Sequence, residues 1–471
     1  MSFNSYIFFS RILKSIFSSF LVTYASALVF SLRSINLVFS LYYLLYAPLI
    51  LVAVFLFVIV TSRKYLRTNV SPTNRFYKIV KGLSFETVLF AILCSVSALL
   101  LSMLNPFCHD KSVWYLLNVG RALTGIIFHY ENVYFERDSH FPIIQTTKYS
   151  MFMSELKQII SRSMKKSFAY LFYIFIPLYA IEPTFSCNVY FIINLWFSIA
   201  LVLYLFYSFE YIVYLTMTEQ VTFPIVTIQK DGYCLLNALN TDTKIVRLLA
   251  LYDLYQTTLK DADRRKEIFN LSFAGNVPQS WKIIFNFCIN NIKSTTEDIT
   301  NAVKYVSPKS INRRNIPNDM FIKLNDNSKK QEEENVKKKN TILKFFENVR
   351  IYNYFFAPLD KEKSLEEFEE TVWCCYVLSN LAVVSLKEDQ YGIVREQLGQ
   401  IVSTILNLKN QLEIQINVSN KKKKKIEYLK LHTKTCAVML ALNFGTYAND
   451  IGLDDNQLIS FKKIVAKLND Y

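Results

Sequence analysis

Glycine and histidine are scarce in this chain: nine glycines and four histidines among 471 residues. No GxxxxGK[ST] or GxGxxG loop occurs, so the usual backbone cradle for phosphate groups is missing. Neither HExxH nor GxSxG is present. The histidines, at 109, 129, 140 and 432, are scattered. Eight cysteines stand at 94, 108, 187, 234, 288, 374, 375 and 436, and none forms a CxxC or another zinc-binding spacing. No catalytic residue, metal site or cofactor is expected, and the chain does not read as an enzyme. Acidic residues are the minority sign, 38 against 53 Lys and Arg, for a net charge of +15. No recognised DNA- or RNA-binding module carries that excess, so a direct nucleic-acid partner is not expected.

Long apolar runs are what the chain has instead. Apolar residues make up 52% of it, with 38 Phe and 30 Tyr. A membrane-crossing helix needs about 20 mostly apolar residues. Six stretches qualify, at about 15–32, 36–60 (with Pro48), 85–104, 113–135, 167–185 and 188–215. The expectation is an all-α membrane protein, with a six-helix transmembrane bundle followed by an α-helical cytoplasmic region.

The loops set the orientation, because bases near span ends stay on the cytoplasmic side. Arg11 and Lys14 precede the first span. Arg63, Lys64, Arg67, Arg75, Lys78 and Lys81 lie between the second and third. Arg137, Lys148, Lys157, Arg162, Lys165 and Lys166 lie between the fourth and fifth. The alternate loops carry only Arg33, Lys111 beside Asp110, and Glu182. Six spans therefore place every basic loop, and both termini, on the cytoplasmic side. Residues 1–215 hold 17 Lys and Arg against 8 Asp and Glu, and this excess suits anionic lipid head groups. The N-terminal apolar run exceeds a signal-peptide core and reads as an uncleaved anchor.

The fourth span is the polar one, with Asn118, Arg121, His129 and Glu131. Charge at this depth costs about 2.5–3.5 kcal/mol on insertion scales unless it is paired. It marks a transport pathway, which would make the chain a transporter or channel, or else a buried polar contact that holds the bundle together, or a span that sits shallow. Cys108 and Cys187 both fall in loops expected to face the oxidising lumen. They form either a disulfide between those loops or two free thiols. The sequons at Asn69, Asn270 and Asn417 are expected on the cytoplasmic side, without glycan.

Beyond residue 215 the pattern is helical and soluble. Ile245, Leu248, Leu249, Tyr252 and Tyr255 recur at helical spacing. A charged helix follows at 261–269 and another at 281–293. Ser294 to Glu297 forms a capping-box pattern that predicts a fresh helix start. Residues 216–306 make one helical region. Residues 307–341, polar and ending in KKQEEENVKKK, read as a disordered linker. In the last region, 342–471, an amphipathic helix comes first. Its face of Ile342, Phe345, Phe346, Val349, Tyr352 and Phe356 suits the membrane surface or a partner, or else packs in the core. Further helices are expected from a capping box at Ser364 to about 386, then at 391–416, 426–443 and 457–468. Lys421 to Lys425 read as a solvated loop. Trp281 and Trp373 are the most distinctive side chains of this half, suited to core packing within helix hairpins.

Four stretches together resemble the transmembrane nucleoporin Ndc (nuclear division cycle) family. The first is Phe141, Pro142, Ile143, Ile144 and Gln145, followed by Lys148-Tyr149. The second is LLALYDL at 248–254 with RRKEIFNLS at 264–272. The third is Pro278-Gln-Ser-Trp281. The fourth is Val372-Trp373 with LSNLAVVS at 378–385 and EDQYG at 388–392. Their order and spacing match six spans followed by a cytoplasmic helical region. Ala274-Gly275-Asn276 departs from the family's Pro-Gly-Gly turn, and the 307–341 linker differs in composition. The resemblance implies a structural protein of the nuclear envelope that anchors the pore complex and supports pore assembly and insertion. Fungal members also help to embed the spindle pole body. Implied partners are the lipid bilayer of the pore membrane, other pore-membrane proteins and linker nucleoporins, and, in animals, the WD-repeat nucleoporin Aladin. A single Phe-Gly pair, Phe444-Gly445, excludes a repeat-bearing barrier protein.

Overall fold

The computed structural model describes residues 3–32, 37–66, 75–102, 111–135, 147–181, 189–225, 234–241, 243–271, 278–306, 368–413 and 420–469. Among the described residues every regular element is a helix and no strand occurs. The first half comprises α1 (Phe3–Leu32), α2 (Leu37–Leu66), the short α3 (Arg75–Gly82), α4 (Phe85–Ser102), α5 (Lys111–Phe128), α6 (Lys148–Ile181) and α7 (Val189–Met217). A π-helical turn, His129–Phe135, continues α5.

Helix α7 is the axle of this half. It packs against α1, α2, α4, α5 and α6. Its 29 residues carry a single charge, Glu210. At 1.5 Å per residue it is roughly 43 Å long, more than the roughly 30 Å of a bilayer core. Among the described residues α7 is the one helix long and apolar enough to cross a membrane by length and composition. Ala47–Arg63 and Phe85–Leu101 are shorter apolar helices. Asn118 and Arg121 dilute α5, and the first half of α6 is basic.

An aromatic knot joins α2, α5 and α7. The Phe57 ring stacks on Phe206 at 4.3 Å, and Phe128 meets Phe206 edge-on at 5.0 Å. Edge and stacked geometries satisfy the ring quadrupoles and add to area burial. Gly125 allows α5 to lie on α4: a Cβ there would sit 2.7 Å from the Cys94 carbonyl oxygen. Ser97 Oγ donates to the Ala53 carbonyl at 2.8 Å, tying α4 to α2. Small residues at helix crossings let backbones approach closely, and hydroxyl-to-carbonyl bonds add to such contacts.

The second half is built from α8 (Leu235–Leu239), α9 (Lys244–Lys260), α10 (Ala262–Phe269), α11 (Gln279–Val306), α12 (Phe368–Glu388), α13 (Leu398–Glu413), α14 (Asn420–Phe444) and α15 (Asp455–Asn469). Helix α12 lies at its centre, fully buried along Cys374, Cys375, Leu378 and Leu381, with α9, α11 and α14 against it.

Three local expectations are corrected. No helix starts at Ser294, because α11 runs unbroken from Gln279 to Val306. Thr295 and Thr296 donate their hydroxyls back to the Asn291 and Ile292 carbonyls, at 3.1 and 2.7 Å, instead of capping. The helix expected from 391 begins at Leu398, after a 3-10 turn at Arg395–Gln397. Asp389 accepts from the Tyr391 and Val394 amides, and Gly392 takes a φ of +68°, so this stretch is an Asx-type turn. The lysine run at 421–425 belongs to α14 and is not a loop, consistent with lysine's good helix propensity.

Candidate functional site

The feature that distinguishes this chain is the neck at 218–225, where α7 leaves the bundle. Its polar groups are met by side chains from distant parts of the sequence. Arg11, buried in α1, donates to the Met217 and Glu219 carbonyls and so caps the C-terminus of α7. A cation at the negative end of a helix is favourable. Ser15 and Thr216 bond side by side next to it. The Glu219 carboxylate meets Lys148 Nζ at 2.7 Å and Lys14 Nζ at 3.8 Å. Partial burial pushes the Glu219 pKa up, but the Lys148 hydrogen bond and the charges of Lys148, Lys14 and Arg11 outweigh it. The carboxyl is therefore held below its ordinary value. Glu219 thus joins α1 and the start of α6 to the end of α7.

Further along, the neck is gripped by the helical core. Gln220 Nε2 donates to the Tyr252 hydroxyl at 3.0 Å. The Phe223 amide donates to Asp253 Oδ2 at 2.9 Å, and Arg264 Nη2 donates to the Phe223 carbonyl at 2.6 Å. Asp253 and Arg264 also pair with each other through two bonds, of 3.1 and 2.6 Å. Asp253 is only 6% exposed, so its charge needs this partner. Burial alone would lower the Arg264 pKa, but the Asp253 hydrogen bond and the charges of Asp253, Asp261 and Glu267 raise it above the ordinary value. The Leu235 amide takes the Pro224 carbonyl at 2.8 Å.

The same logic knits the core across the interval 307–367. Arg247 makes a fork with Glu370, at 3.1 and 3.2 Å, and Glu370 is 1% exposed. Asn291 donates to Glu370 and accepts from Thr371. Arg265 forks onto Glu388 at 2.8 and 3.1 Å and reaches the last carbonyls of α9. Asn380 donates to Thr258 at 3.1 Å. Bidentate arginine–carboxylate pairs fix geometry as well as charge.

Trp281 is fully buried between Phe269 and Phe285, and its Nε1 donates to Gln397 at 2.9 Å. Trp373 lies buried against Tyr252, with ring centroids 5.4 Å apart. Both are core side chains. Residues 141–145, Ile342, Phe345, Phe346, Val349, Tyr352, Phe356, Cys108, Cys187 and the 307–341 linker lie outside the described residues. Asp253, Arg264, Arg265, Asn380 and Glu388 all sit inside the motif stretches, yet spacing alone does not reveal which pairs with which.

Of the polar residues at 113–135, Asn118, Arg121 and Glu131 are hydrogen-bonded to neighbours, and His129 is buried with its ring edge-on to Tyr130. Arg121 donates to Ser198 at 2.6 Å and to Asn118 at 3.0 Å. Glu131 accepts from Lys166 and from Tyr170, the latter at 2.7 Å. Among the described residues no cluster could hold a metal ion. Burial pushes the Cys436 thiol up to about 12 and raises Cys374 and Cys375 well above the ordinary value. All three thiols are fully buried and pack in the core of the second half.

Comparison with known proteins gives one consistent result. The family described as Nucleoporin protein Ndc1-Nup matches residues 7–370 and 318–460. Nucleoporin ndc-1 of Caenorhabditis briggsae is 22% identical over 254 residues, 49% of this chain and 43% of that protein. Nucleoporin Ndc1 of Drosophila melanogaster is 22% identical over 271 residues, 47% of this chain and 46% of its own. Nucleoporin NDC1 of Mus musculus is 27% identical over 187 residues, covering 34% and 28% respectively. These matches span less than half the length of each relative. With the family match running through the bundle, the neck and the helical core, this chain belongs to the Ndc1-Nup family of nucleoporins.

Proposed function

We propose that this chain is a membrane-anchoring scaffold nucleoporin. It tethers the nuclear pore complex to the nuclear envelope and supports pore assembly and insertion. The observation that carries the reading is the neck. Motif residues Asp253 and Arg264 grip the exit of α7, while Arg11, Lys14 and Lys148 hold the same exit from the bundle side. An anchor must pass load from soluble helices to embedded ones without slack, and a doubly held neck does so. The bundle crosses the membrane six times, with both termini on the cytoplasmic, pore-facing side. The basic loops support this, as do apolar side chains exposed outside α1, α2, α4, α6 and α7, such as Phe17, Phe55, Leu89, Phe172 and Ile193. The bonded state of Arg121 favours a structural role in the fourth span over a transport pathway. The partners are the pore membrane, other pore-membrane proteins and linker nucleoporins, with an Aladin-like WD-repeat protein among them. Depleting the chain in its own cells tests the reading: pore density at the rim is expected to fall as the protein is lost. Unchanged pore density after depletion would overturn it.

A further inference from the structure

The geometry points to α3 as an interfacial helix that lies in the cytoplasmic leaflet and takes anionic phospholipid. The inference rests on the six-span reading. At eight residues, α3 is roughly 12 Å long and cannot span a bilayer. Its apolar residues do not turn inward. Phe76, Tyr77, Ile79 and Val80, with Leu83 in the turn that follows, are between 42% and 67% exposed. Phe76, Ile79, Val80 and Leu83 follow the i, i+3, i+4, i+7 spacing of one face. In the sequence Arg75, Lys78 and Lys81 recur every third residue, on the complementary register of the helix. An apolar face with basic flanks suits a helix lying flat at the head-group boundary.

Two further observations make a bilayer the occupant. Exposed apolar side chains continue through Leu83 into α4, where Phe85 is 84% exposed, followed by Leu89, Ile92 and Val96. A surface continuous with the outer face of a spanning helix meets the same lipid. The corner between α3 and α4 is also fixed. The Gly82 carbonyl accepts from Thr87 Oγ1 and from the Tyr130 hydroxyl, the latter at 3.3 Å. Ser84 and Thr87 bond to each other at 3.2 Å at the start of α4. The angle at which α3 leaves the bundle is thus set by the fold.

The test uses the full chain in phosphatidylcholine vesicles, with and without phosphatidylserine, that carry a diazirine-bearing phospholipid. Carbene adducts are mapped by mass spectrometry. Adducts are expected on residues 76–83 as well as on Phe85, Leu89 and Ile92. K78E/K81E is expected to reduce α3 labelling about five-fold or more in phosphatidylserine vesicles, since each base near such a surface counts for about that factor. Labelling of α4 is the internal control for folding and should not change. Ile79→Asp should lower α3 labelling in both vesicle types. Labelled α4 with bare residues 76–83 would overturn the inference and leave the bundle intact. Charge-reversed and wild-type chains labelling alike would overturn the anionic preference. Absence of adducts on both helices would overturn the six-span reading along with the inference.

Discussion

Replacing Asp253 by alanine is the perturbation that probes the neck most directly. The carboxylate is 6% exposed and makes three bonds: one from the Phe223 amide and two from Arg264. Removing it leaves a backbone donor buried, which costs about 1–3 kcal/mol. It also strips a guanidinium of its counter-charge. Breaking a buried pair costs about 3–5 kcal/mol, but Arg264 is 21% exposed and water recovers part of that. The combined loss is about 3–4 kcal/mol, at the lower end. For a domain of this size it corresponds to a fall of about 6–16 °C in apparent Tm. Thermal unfolding of the detergent-solubilised chain at fixed scan rate, followed by tryptophan fluorescence, reads it. Trp281 and Trp373 report the helical core, while Trp114 and Trp196 report the bundle. Arg264→Ala should cost at least as much, because it leaves the more deeply buried Asp253 carboxylate without its counter-charge and the Phe223 carbonyl without its donor. The double variant should lose about 0.5–3 kcal/mol less than the sum of the singles. A Tm within about 2 °C of the parent for Asp253→Ala, or strict additivity of the pair, would refute the clamp.

Three other outcomes are expected from the same measurement or from simple companions to it. Gly125→Val pushes a branched side chain into the Cys94 backbone, so the α4–α5 crossing opens and the yield of folded chain drops sharply, while Gly392→Ala, with open space around it, costs only the strain of its positive φ. Trp281→Ala empties a fully buried site and should cost about 3–5 kcal/mol, whereas Gln397→Leu removes only the bond to its indole, about 1 kcal/mol. His432 stands 2.8 Å from the Tyr376 hydroxyl, and burial holds its pKa below the ordinary value. The unfolded chain therefore takes up that proton first as pH falls. The contribution is complete above about pH 6.5 and is lost on acidification below it. The Tm difference between pH 7 and about pH 5.5 should be smaller in His432→Gln than in the parent.

Much of the helical content is legible from residue spacing. The heptad-like face of α9 and the unbroken apolar run of α7 follow directly from periodicity and length. The ties that hold these helices to one another are not legible. Arg11 reads as a topology charge, and nothing in its neighbourhood says that it caps a helix more than 200 residues away. Asp253 and Arg264 lie in separate helices 11 residues apart, and only the turn between α9 and α10 brings them together. At Ser294 a local capping signal loses to tertiary packing. Ile292 and Ile299 are both buried on one face, and that face holds α11 straight. At 391–397 the pattern of apolar residues suggested helix, but the Asp389 side chain satisfies the amides locally and delays the start. The lysines at 421–425 look like a loop by charge, yet they lengthen α14, whose later turns pack on α12 and α13.

Imaging a fluorescently tagged chain beside a nuclear pore marker shows directly whether the protein resides at pores. Punctate signal at the nuclear rim that coincides with the marker is expected. Diffuse reticular or plasma-membrane signal, with no enrichment at pores, would contradict the proposed anchoring role.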